Sequence, residues 1–188
     1  MRSFIAIELP EAVHRRLAAL QERLRPQARG ISWTRPEQIH LTLKFLGEVP
    51  DADVPRAVET ARNVARQHGP FDLTVAGAGC FPPHGPARIL WVGIPSPPAD
   101  LLTCQKNLQK SFAAIGFTPE NRPFHPHLTL ARVKDPRAGQ DARATVERAA
   151  DFHAGSFRAA ELVFFQSVLQ RTGPVYTPMA RLPLAARP

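Results

Sequence analysis

The tetrapeptide His-Leu-Thr-Leu occurs twice in this chain of 188 residues, at His40–Leu43 and at His127–Leu130. Around both copies, apolar and polar residues alternate with a period of two, which predicts a β-strand with one buried face. On such a strand the His and the Thr share one face and the two Leu share the other. The chain must therefore fold so that two similar strands bury their leucines and leave imidazole and hydroxyl together on the opposite face.

The repetition is too specific to attribute to chance. Seven histidines are present, and a second copy of the three following residues is expected on the order of 0.007 times. A single His-x-Thr is often an edge-strand pair without a task, but the matched pair supplies two imidazoles. One imidazole can take a proton from an attacking oxygen while the other protonates a leaving oxygen. Metal-free phosphoryl transfer needs this pair, and Thr42 and Thr129 are candidates to hold the phosphate oxygens.

A weak internal repeat relates the two halves of the chain. A strand, a helix and His40 in the first half are matched by a strand, a helix and His127 in the second half, at similar spacing. We therefore expect one domain over residues 1–188, with the two motif strands in related positions across a central cleft. The sequence predicts helices at 10–24, 53–67 and 98–115, a short helix within 135–151, and strands at 3–9, 31–34, 39–46, 71–76, 88–94, 124–131, 161–169 and 175–182. It predicts loops or turns at Gly77–Pro86 and at Thr172-Gly173-Pro174.

The charge balance narrows the class of partner. Lys and Arg number 24 against 16 Asp and Glu, which gives a formal net charge of +8 and favours a polyanion such as nucleic acid. No apolar stretch approaches the ~20 residues of a membrane span, and the N-terminus does not resemble a signal peptide. Cys80 and Cys104 form neither a metal motif nor a disulfide framework. We expect a cytoplasmic monomer with no membrane contact and no obligate protein partner.

One candidate substrate-binding residue follows the first motif. Lys44 lies four positions after His40, so strict alternation puts both on one face, where the lysine would steer phosphate. The alternative is a lysine on the rim without a role. The same alternation turns Phe45 toward the core. Four other aromatic residues are candidates for stacking on a base, with burial in the core as the alternative: Trp33, Phe124, Phe165 and Tyr176.

Three candidates surround the second motif. Arg122 and Arg132 flank it, and forked guanidinium groups bind phosphate well. Strict alternation from His127 puts Arg132 on the opposite face, so a role for it requires a bulge or a strand end. His125 could join His127 in binding a metal, but no Cys or acidic partner is near and even a catalytic zinc needs about three protein ligands. We therefore expect no metal and no cofactor, with His125 supporting the strand or the substrate.

Four segments resemble one known family. They are Arg2–Pro10, His40–Glu48, Asn121–Arg132 and Tyr176–Pro178, and the chain resembles the RNA 2′,3′-cyclic phosphodiesterase (2′-5′ RNA ligase-like) family of the two-histidine phosphoesterase superfamily along nearly its whole length. Residues 134–150 match nothing in that pattern. The resemblance implies an α+β fold of two pseudo-symmetric lobes, each an antiparallel sheet with helices on its outer face, around a central groove.

The resemblance also implies an activity. It implies hydrolysis of the 2′,3′-cyclic phosphate at the 3′ end of RNA to a 2′-phosphate, with His40 as proton donor and His127 as proton acceptor. The sequence alone cannot order the two histidines, because the motif copies are nearly equivalent. The same groups acting in reverse, with a 5′-hydroxyl in place of water, would form a 2′-5′ RNA bond.

Two other functions fit the same residues. A non-catalytic module could bind RNA ends in a basic groove, and an enzyme of the same class could act on a small cyclic phosphate such as ADP-ribose cyclic phosphate. The completeness of both motifs argues against the first alternative. The positive charge weakly favours a polymer over the second. Turnover of a 2′,3′-cyclic nucleotide, as opposed to binding alone, separates enzyme from module.

Overall fold

The structure, a computed structural model, describes residues 1–171 and 173–185. Its strands are β1 (Arg2–Ile7), β2 (Ile31–Trp33), β3 (Leu41–Glu48), β4 (Phe71–Phe81), β5 (Ile89–Gly93), β6 (His127–Val133), β7 (His153–Ala159), β8 (Glu161–Gln170) and β9 (Gly173–Pro183). Its α-helices are α1 (Glu11–Leu24), α2 (Val54–Ala65), α3 (Ala99–Ala114) and α4 (Gly139–Glu147). No helix in the described part of the chain is long and apolar enough to cross a membrane.

The strands form one nine-stranded antiparallel sheet, whose two halves meet at the motif strands. The order is β7-β4-β5-β6-β3-β1-β8-β9, and β2 also pairs with β6. β3 and β6 are joined by one residue pair, Leu41 with Leu128, the residues that directly follow the two motif histidines. The strands of one lobe therefore correspond to those of the other across a pseudo-twofold axis at this pair. The predicted two-lobed α+β fold is confirmed.

Helices α1 and α3 each contact a strand in the other half of the sequence. Helix α1, which belongs to the first half of the sequence, contacts β7 of the second lobe, and α3 of the second half contacts β3 of the first lobe. Helix α1 turns an apolar stripe inward because its leucines and Val13 recur at helical spacing. The main core includes side chains from both lobes and from the helices, so burial of the helix stripes ties the halves together.

Each motif strand carries a β-bulge directly after its threonine region. In β3, Thr42 and Lys44 pair with consecutive residues of β1, so Leu43 is the extra residue. In β6, Leu130 is the extra residue against β5 in the corresponding place. A bulge shifts the alternation by one, so every residue beyond it changes face relative to a regular strand.

Three segments differ from their sequence predictions. Strand β4 continues to Phe81 where a loop was predicted at Gly77, because Gly77 has φ +72° at a bulge and the residues beyond it pair with β5. Strand β7 was not predicted, since its weak alternation includes Gly155 and small polar residues. The predicted turn lies partly outside the described residues at Thr172, and its Gly173 belongs to β9.

Candidate active site

The register of the two motif strands puts four polar side chains on one face of the sheet, here called the groove face. Leu41 and Leu128 pair and are buried, so their neighbours on each strand point to the opposite, groove face. One step from that pair in an antiparallel register, His40 lies across from Thr129, and Thr42 lies across from His127. The histidines therefore occupy one diagonal of a four-cornered arrangement, and the threonines occupy the other.

Both imidazoles are held by the backbone in the same way. Nδ1 of His40 lies 2.7 Å from the carbonyl oxygen of Gln38, and Nδ1 of His127 lies 2.6 Å from that of His125. Since a carbonyl only accepts, each Nδ1 carries a proton and donates it. In both rings Nε2 is then the nitrogen available to take up or release a proton.

An aromatic wall surrounds His40. Phe4 stacks on its ring with centroids 4.7 Å apart, Tyr176 meets it edge-on at 5.2 Å, and Phe165 lies 6.1 Å away. The side chain of Gln38 donates to the carbonyl of Pro174 at 2.6 Å, two residues before Tyr176 on β9. Because the carbonyl of Gln38 also binds the His40 ring, this contact links the ring to the strand that carries Tyr176. These contacts fix the orientation of His40 and exclude water from one side of it.

His127 has a different wall. Phe81 meets its ring edge-on at 5.0 Å, and Trp91 packs on Phe81 at 5.4 Å. Arg143 holds the loop that follows Phe81, donating to the carbonyls of Pro82 at 2.6 Å, Pro83 at 3.2 Å and Gly85 at 2.7 Å. Arg143 lies in α4, in the segment that resembled nothing known. That segment therefore supports the wall beside His127.

Burial lowers the pKa of both histidines, and their neighbouring charges act in opposite directions. Burial is the largest cause at His40 and lowers its pKa to about 4, against the raising effects of the Gln38 carbonyl and the Glu8 carboxylate. Burial also lowers the pKa of His127, and there the Arg132 cation lowers it further. The Glu8 carboxylate favours the charged form of His40, whereas the Arg132 cation favours the neutral form of His127.

The bulges decide two of the uncertain assignments. Arg132 lies two residues beyond Leu130, so it shares the groove face with His127, and the bulge that its role required is present. Phe45 occupies the same place beyond the bulge of β3, and the prediction that it points to the core is wrong. Its side chain is 55% exposed and its ring lies 6.1 Å from that of Phe4.

The prediction that Lys44 steers phosphate is wrong for the same reason. The bulge turns Lys44 away from His40 onto the helix-covered face, where it is fully buried. Its Nζ donates to Oε1 of Gln109 at 2.8 Å and to the carbonyl of Thr118 at 3.2 Å. Burial lowers the pKa of Lys44, and Glu120 opposes this shift. Lys44 therefore joins β3 to helix α3 and to the segment that follows it.

The remaining candidates lie around the second motif. His125 is exposed and contributes its carbonyl to His127, while its ring lies 6.3 Å from Phe81. Arg122 is exposed in the loop before β6, and its contact with substrate stays a prediction. Among residues 1–171 and 173–185, no group of three or more His, Cys, Asp or Glu side chains could hold a metal ion.

A cavity of about 400 Å³ opens beside His40, on the β9 side. Its lining includes Glu8, His14, Glu37 and Tyr176. Sequence patterns carried no signal for Phe4, Phe81 or Gln38 as site residues. Phe4 and Phe81 belong to strands far from the motif histidines that they contact, and Gln38 lies two residues before His40 outside any recognisable pattern. Only the pairing of β1, β4 and β9 with their neighbours brings such side chains to the histidines.

The comparisons with known proteins agree with this geometry. The model of the family described as LigT like phosphoesterase matches residues 7–91 and again residues 92–176. The chain belongs to the LigT-like phosphoesterase family. The double match divides the chain between the two histidine motifs, so each motif has its own copy of the family pattern.

Relatives of the same family cover nearly the whole chain. A protein of Methanothermobacter thermautotrophicus named RNA 2′,3′-cyclic phosphodiesterase is 33% identical over 95% of this chain and 96% of its own length. A crystal structure from Thermus thermophilus is 31% identical with a TM-score of 0.82 over 98% of both chains. The crystal structure of E. coli LigT complexed with 3′-AMP is 28% identical with a TM-score of 0.77, again over 98% of both chains.

Proposed function

We propose that this LigT-like phosphoesterase hydrolyses the 2′,3′-cyclic phosphate at the 3′ end of RNA to a 2′-phosphate, without a metal or other cofactor. The observation that carries the proposal is the placement of two imidazoles, each bound at Nδ1 by a backbone carbonyl, directly before the paired residues Leu41 and Leu128. The names of the curated relatives support the substrate class. Both lobes contribute one histidine and one threonine, so we propose that they act as one domain.

The diagonal suits an in-line displacement at phosphorus. Attack and departure take place on opposite sides of the phosphorus atom, so a base and an acid are needed on opposite sides of the substrate. With phosphate at the centre, His40 and His127 satisfy this requirement. Thr42 and Thr129 then face the non-bridging oxygens along the other diagonal, where hydroxyl donors stabilise the charge that develops in the transition state.

Each proton and bond has a place in the proposed step. Neutral His127 takes a proton at Nε2 from water as the water oxygen forms a bond to phosphorus. The bond from phosphorus to the ribose 3′-oxygen breaks, and protonated His40 gives its Nε2 proton to that oxygen. Phosphate remains on the 2′-oxygen. The same step with a 5′-hydroxyl in place of water as the attacking group would form a 2′-5′ linkage.

Two neighbouring charges act in the sense of this order of acid and base, whereas burial and His14 oppose it at His40. Glu8 favours the charged form of His40, and Arg132 favours the neutral form of His127. Burial opposes protonation of His40 in the free protein, where its pKa is about 4. A bound phosphate anion beside the ring favours the imidazolium and raises that pKa when the acid is needed.

The proposed order also orients the substrate. The leaving 3′-oxygen belongs to the terminal ribose, so this ribose must lie on the His40 side of phosphorus. The cavity of about 400 Å³ on that side then receives the terminal nucleoside. Arg132, on the side of the attacking water, holds phosphate oxygens through its forked guanidinium group.

One assay tests the proposal. A defined oligonucleotide ending in a 2′,3′-cyclic phosphate is incubated with the protein in excess chelator, and the product is identified by phosphorus NMR. We expect a 2′-phosphate that resists a 3′-phosphatase. A 3′-phosphate product would contradict the proposed departure of the 3′-oxygen, and restoration of lost activity by zinc or manganese would contradict the metal-free mechanism.

Two outcomes of the same assay would select the alternatives. Tight binding of the oligonucleotide without turnover would identify a non-catalytic RNA-end module. Turnover of ADP-ribose cyclic phosphate with a higher kcat/KM than that of the oligonucleotide would identify a small cyclic phosphate as the substrate. Denatured protein provides the blank for binding, and the His127→Ala variant provides the blank for turnover.

A further inference from the structure

Two buried glutamines lie beneath the bulges of the motif strands. Gln21 of α1 is 1% exposed and Gln105 of α3 is 8% exposed, in a layer composed otherwise mainly of apolar side chains. A buried amide is unfavourable unless it forms hydrogen bonds, so a packing role alone would be met better by Leu or Met. The partners of the two amides are the same in kind, and they point to a shared task.

Gln21 binds the carbonyl of the extra residue in the bulge of β6. Its Nε2 donates to the Leu130 carbonyl at 2.9 Å and to the Thr34 carbonyl at 2.7 Å. The Thr34 N–H donates to the same Leu130 carbonyl at 2.9 Å. A bulge disrupts the local ladder between strands, so this buried carbonyl depends on donors from elsewhere. Both amide hydrogens of Gln21 are used on backbone acceptors.

Gln105 does the same in the other lobe. Its Nε2 donates at 3.4 Å to the carbonyl of Leu43, the extra residue in the bulge of β3. The two contacts cross between the halves, because the helix of each half reaches the motif strand of the other. The contact of Gln105 is longer and single, so it constrains its bulge less than Gln21 does.

We propose that Gln21 and Gln105 are positioning residues that hold the two bulges, and that Gln21 thereby keeps Arg132 on the groove face beside His127. Without the bulge, regular alternation would turn Arg132 to the helix-covered face. The role of Gln21 rests on the proposed function, since it acts through a side chain that binds substrate phosphate there. Gln105 holds the corresponding bulge beneath Phe45 and serves as the matched control.

The first measurement asks whether the contact exists and affects activity. Gln21→Met keeps the length of the side chain and removes the donor. With carbonyl-13C leucine, the Leu130 signal should move in the Gln21→Met spectrum and stay in place in the Gln105→Met spectrum. We expect kcat/KM for the cyclic-phosphate oligonucleotide to fall about tenfold in Gln21→Met, which corresponds to the loss of one or two hydrogen bonds to the bulge. An unchanged kcat/KM in the folded Gln21→Met variant would overturn the proposal.

A double-mutant cycle separates positioning from general destabilisation. In an Arg132→Ala background, Gln21→Met should cost less than about twofold, because the side chain that it positions is gone. Gln105→Met should cost the same factor in both backgrounds. An equal loss from Gln21→Met with and without Arg132 would assign Gln21 a purely structural role and overturn the proposal.

Two provisions keep the test decisive. If Gln21→Met does not fold, Gln21→Asn keeps a polar amide and shortens the side chain by one methylene, which withdraws the donor from Leu130, so the same cycle applies. If the wild type binds the oligonucleotide without hydrolysing it, the proposed function fails, and the cycle is then measured on Kd. A silent Arg132→Ala variant, alongside inactive histidine variants, would leave the proposed function standing and overturn the role of Gln21.

Discussion

The two lobes share a backbone and differ in the side chains that it carries. In both, a motif strand has its bulge after the threonine and a histidine Nδ1 bound to the carbonyl two residues earlier. The place filled by Phe45 in the first lobe is filled by Arg132 in the second. The shared backbone fixes the positions of the side chains in the groove, and the residue types at corresponding positions decide which lobe carries charge.

The same contrast continues beneath the bulges and beside the rings. Lys44 is buried and bonded to α3 in the first lobe, whereas the corresponding residue in the second lobe is Ala131. In the groove, Ala6 lies opposite Thr42, and Trp91 lies opposite Thr129. Both half-sites therefore have aromatic walls, and they differ in charge: the Glu8 carboxylate acts on His40 in the first, and the Arg132 cation acts on His127 in the second. Duplication supplied the symmetry, and these differences give the two histidines unequal surroundings.

The largest effect should come from the two histidines themselves. His40→Ala and His127→Ala should each reduce kcat by roughly 10²–10⁴-fold, the usual worth of a positioned acid or base. Steady-state kinetics with the cyclic-phosphate oligonucleotide measures the loss, and Kd should change much less. Near-normal turnover in one variant would mean that the lobes do not share the chemistry.

The stability of the protein in acid should depend on His40. The unfolded chain takes up a proton at this residue near pH 6.5, whereas the folded protein resists protonation until about pH 4. The unfolding free energy should therefore fall as the pH decreases through this window, by up to about 3 kcal/mol from this residue. His40→Phe keeps an aromatic ring and removes the proton, so its urea midpoint should fall less over the same pH range. Parallel curves for the two proteins would contradict the burial effect.

Phe45 and Arg132 occupy equivalent positions in the two lobes, so variants at these two positions can be compared directly. Arg132→Ala should lower kcat/KM by about 10–100-fold, the scale of a charge-assisted contact to phosphate. Phe45→Ala, at the matching place in the first lobe, should lower it by less than about threefold unless a base stacks there. A larger loss from Phe45→Ala than from Arg132→Ala would reverse the assignment of the charged lobe.

The salt dependence of RNA binding should distinguish exposed from buried cations. Arg132→Ala should reduce the slope of log K against log salt by about 0.7, the value for one phosphate of a single strand. Lys44→Met should leave the slope unchanged, because Lys44 is buried on the other face. Arg122→Ala tests the one basic candidate that the fold leaves undecided. A flatter slope in Lys44→Met would contradict its placement.

The smallest effects should appear in the limbs of the pH–rate profile. Burial lowers the pKa of both imidazoles, so the bell of kcat/KM should lie on the acid side of pH 6.5, and its limbs belong to the coupled pair. Removing the cation in Arg132→Ala should raise the pKa of His127, and Glu8→Gln should lower that of His40. A rate that rises monotonically into alkaline pH would contradict a two-imidazole mechanism.

The sequence by itself predicted the candidate site residues and determined much of the fold. The duplicated His-Leu-Thr-Leu, with alternation around it, predicted two strands that present His and Thr on one face, and the two strands pair at the leucines that follow the histidines. Helical spacing predicted α1, α2 and α3 to within a few residues of their observed ends. Local patterns succeed where one residue's neighbours along the chain decide its face, as at Leu41 and Leu128.

Only the tertiary structure decided what lies beyond the bulges. A bulge depends on the partner strand and on donors from distant segments, such as Gln21 for Leu130, and the motif itself carries no sign of it. Period-two reasoning therefore put Lys44 and Phe45 on the wrong faces and left Arg132 undecided. The walls of Phe4 and Phe81 arose in the same way, from pairing between strands far apart in sequence. The motif alone was enough to single out the two histidines, because it depends only on neighbours along the chain. Their unequal surroundings depend on which strands pair in the assembled sheet.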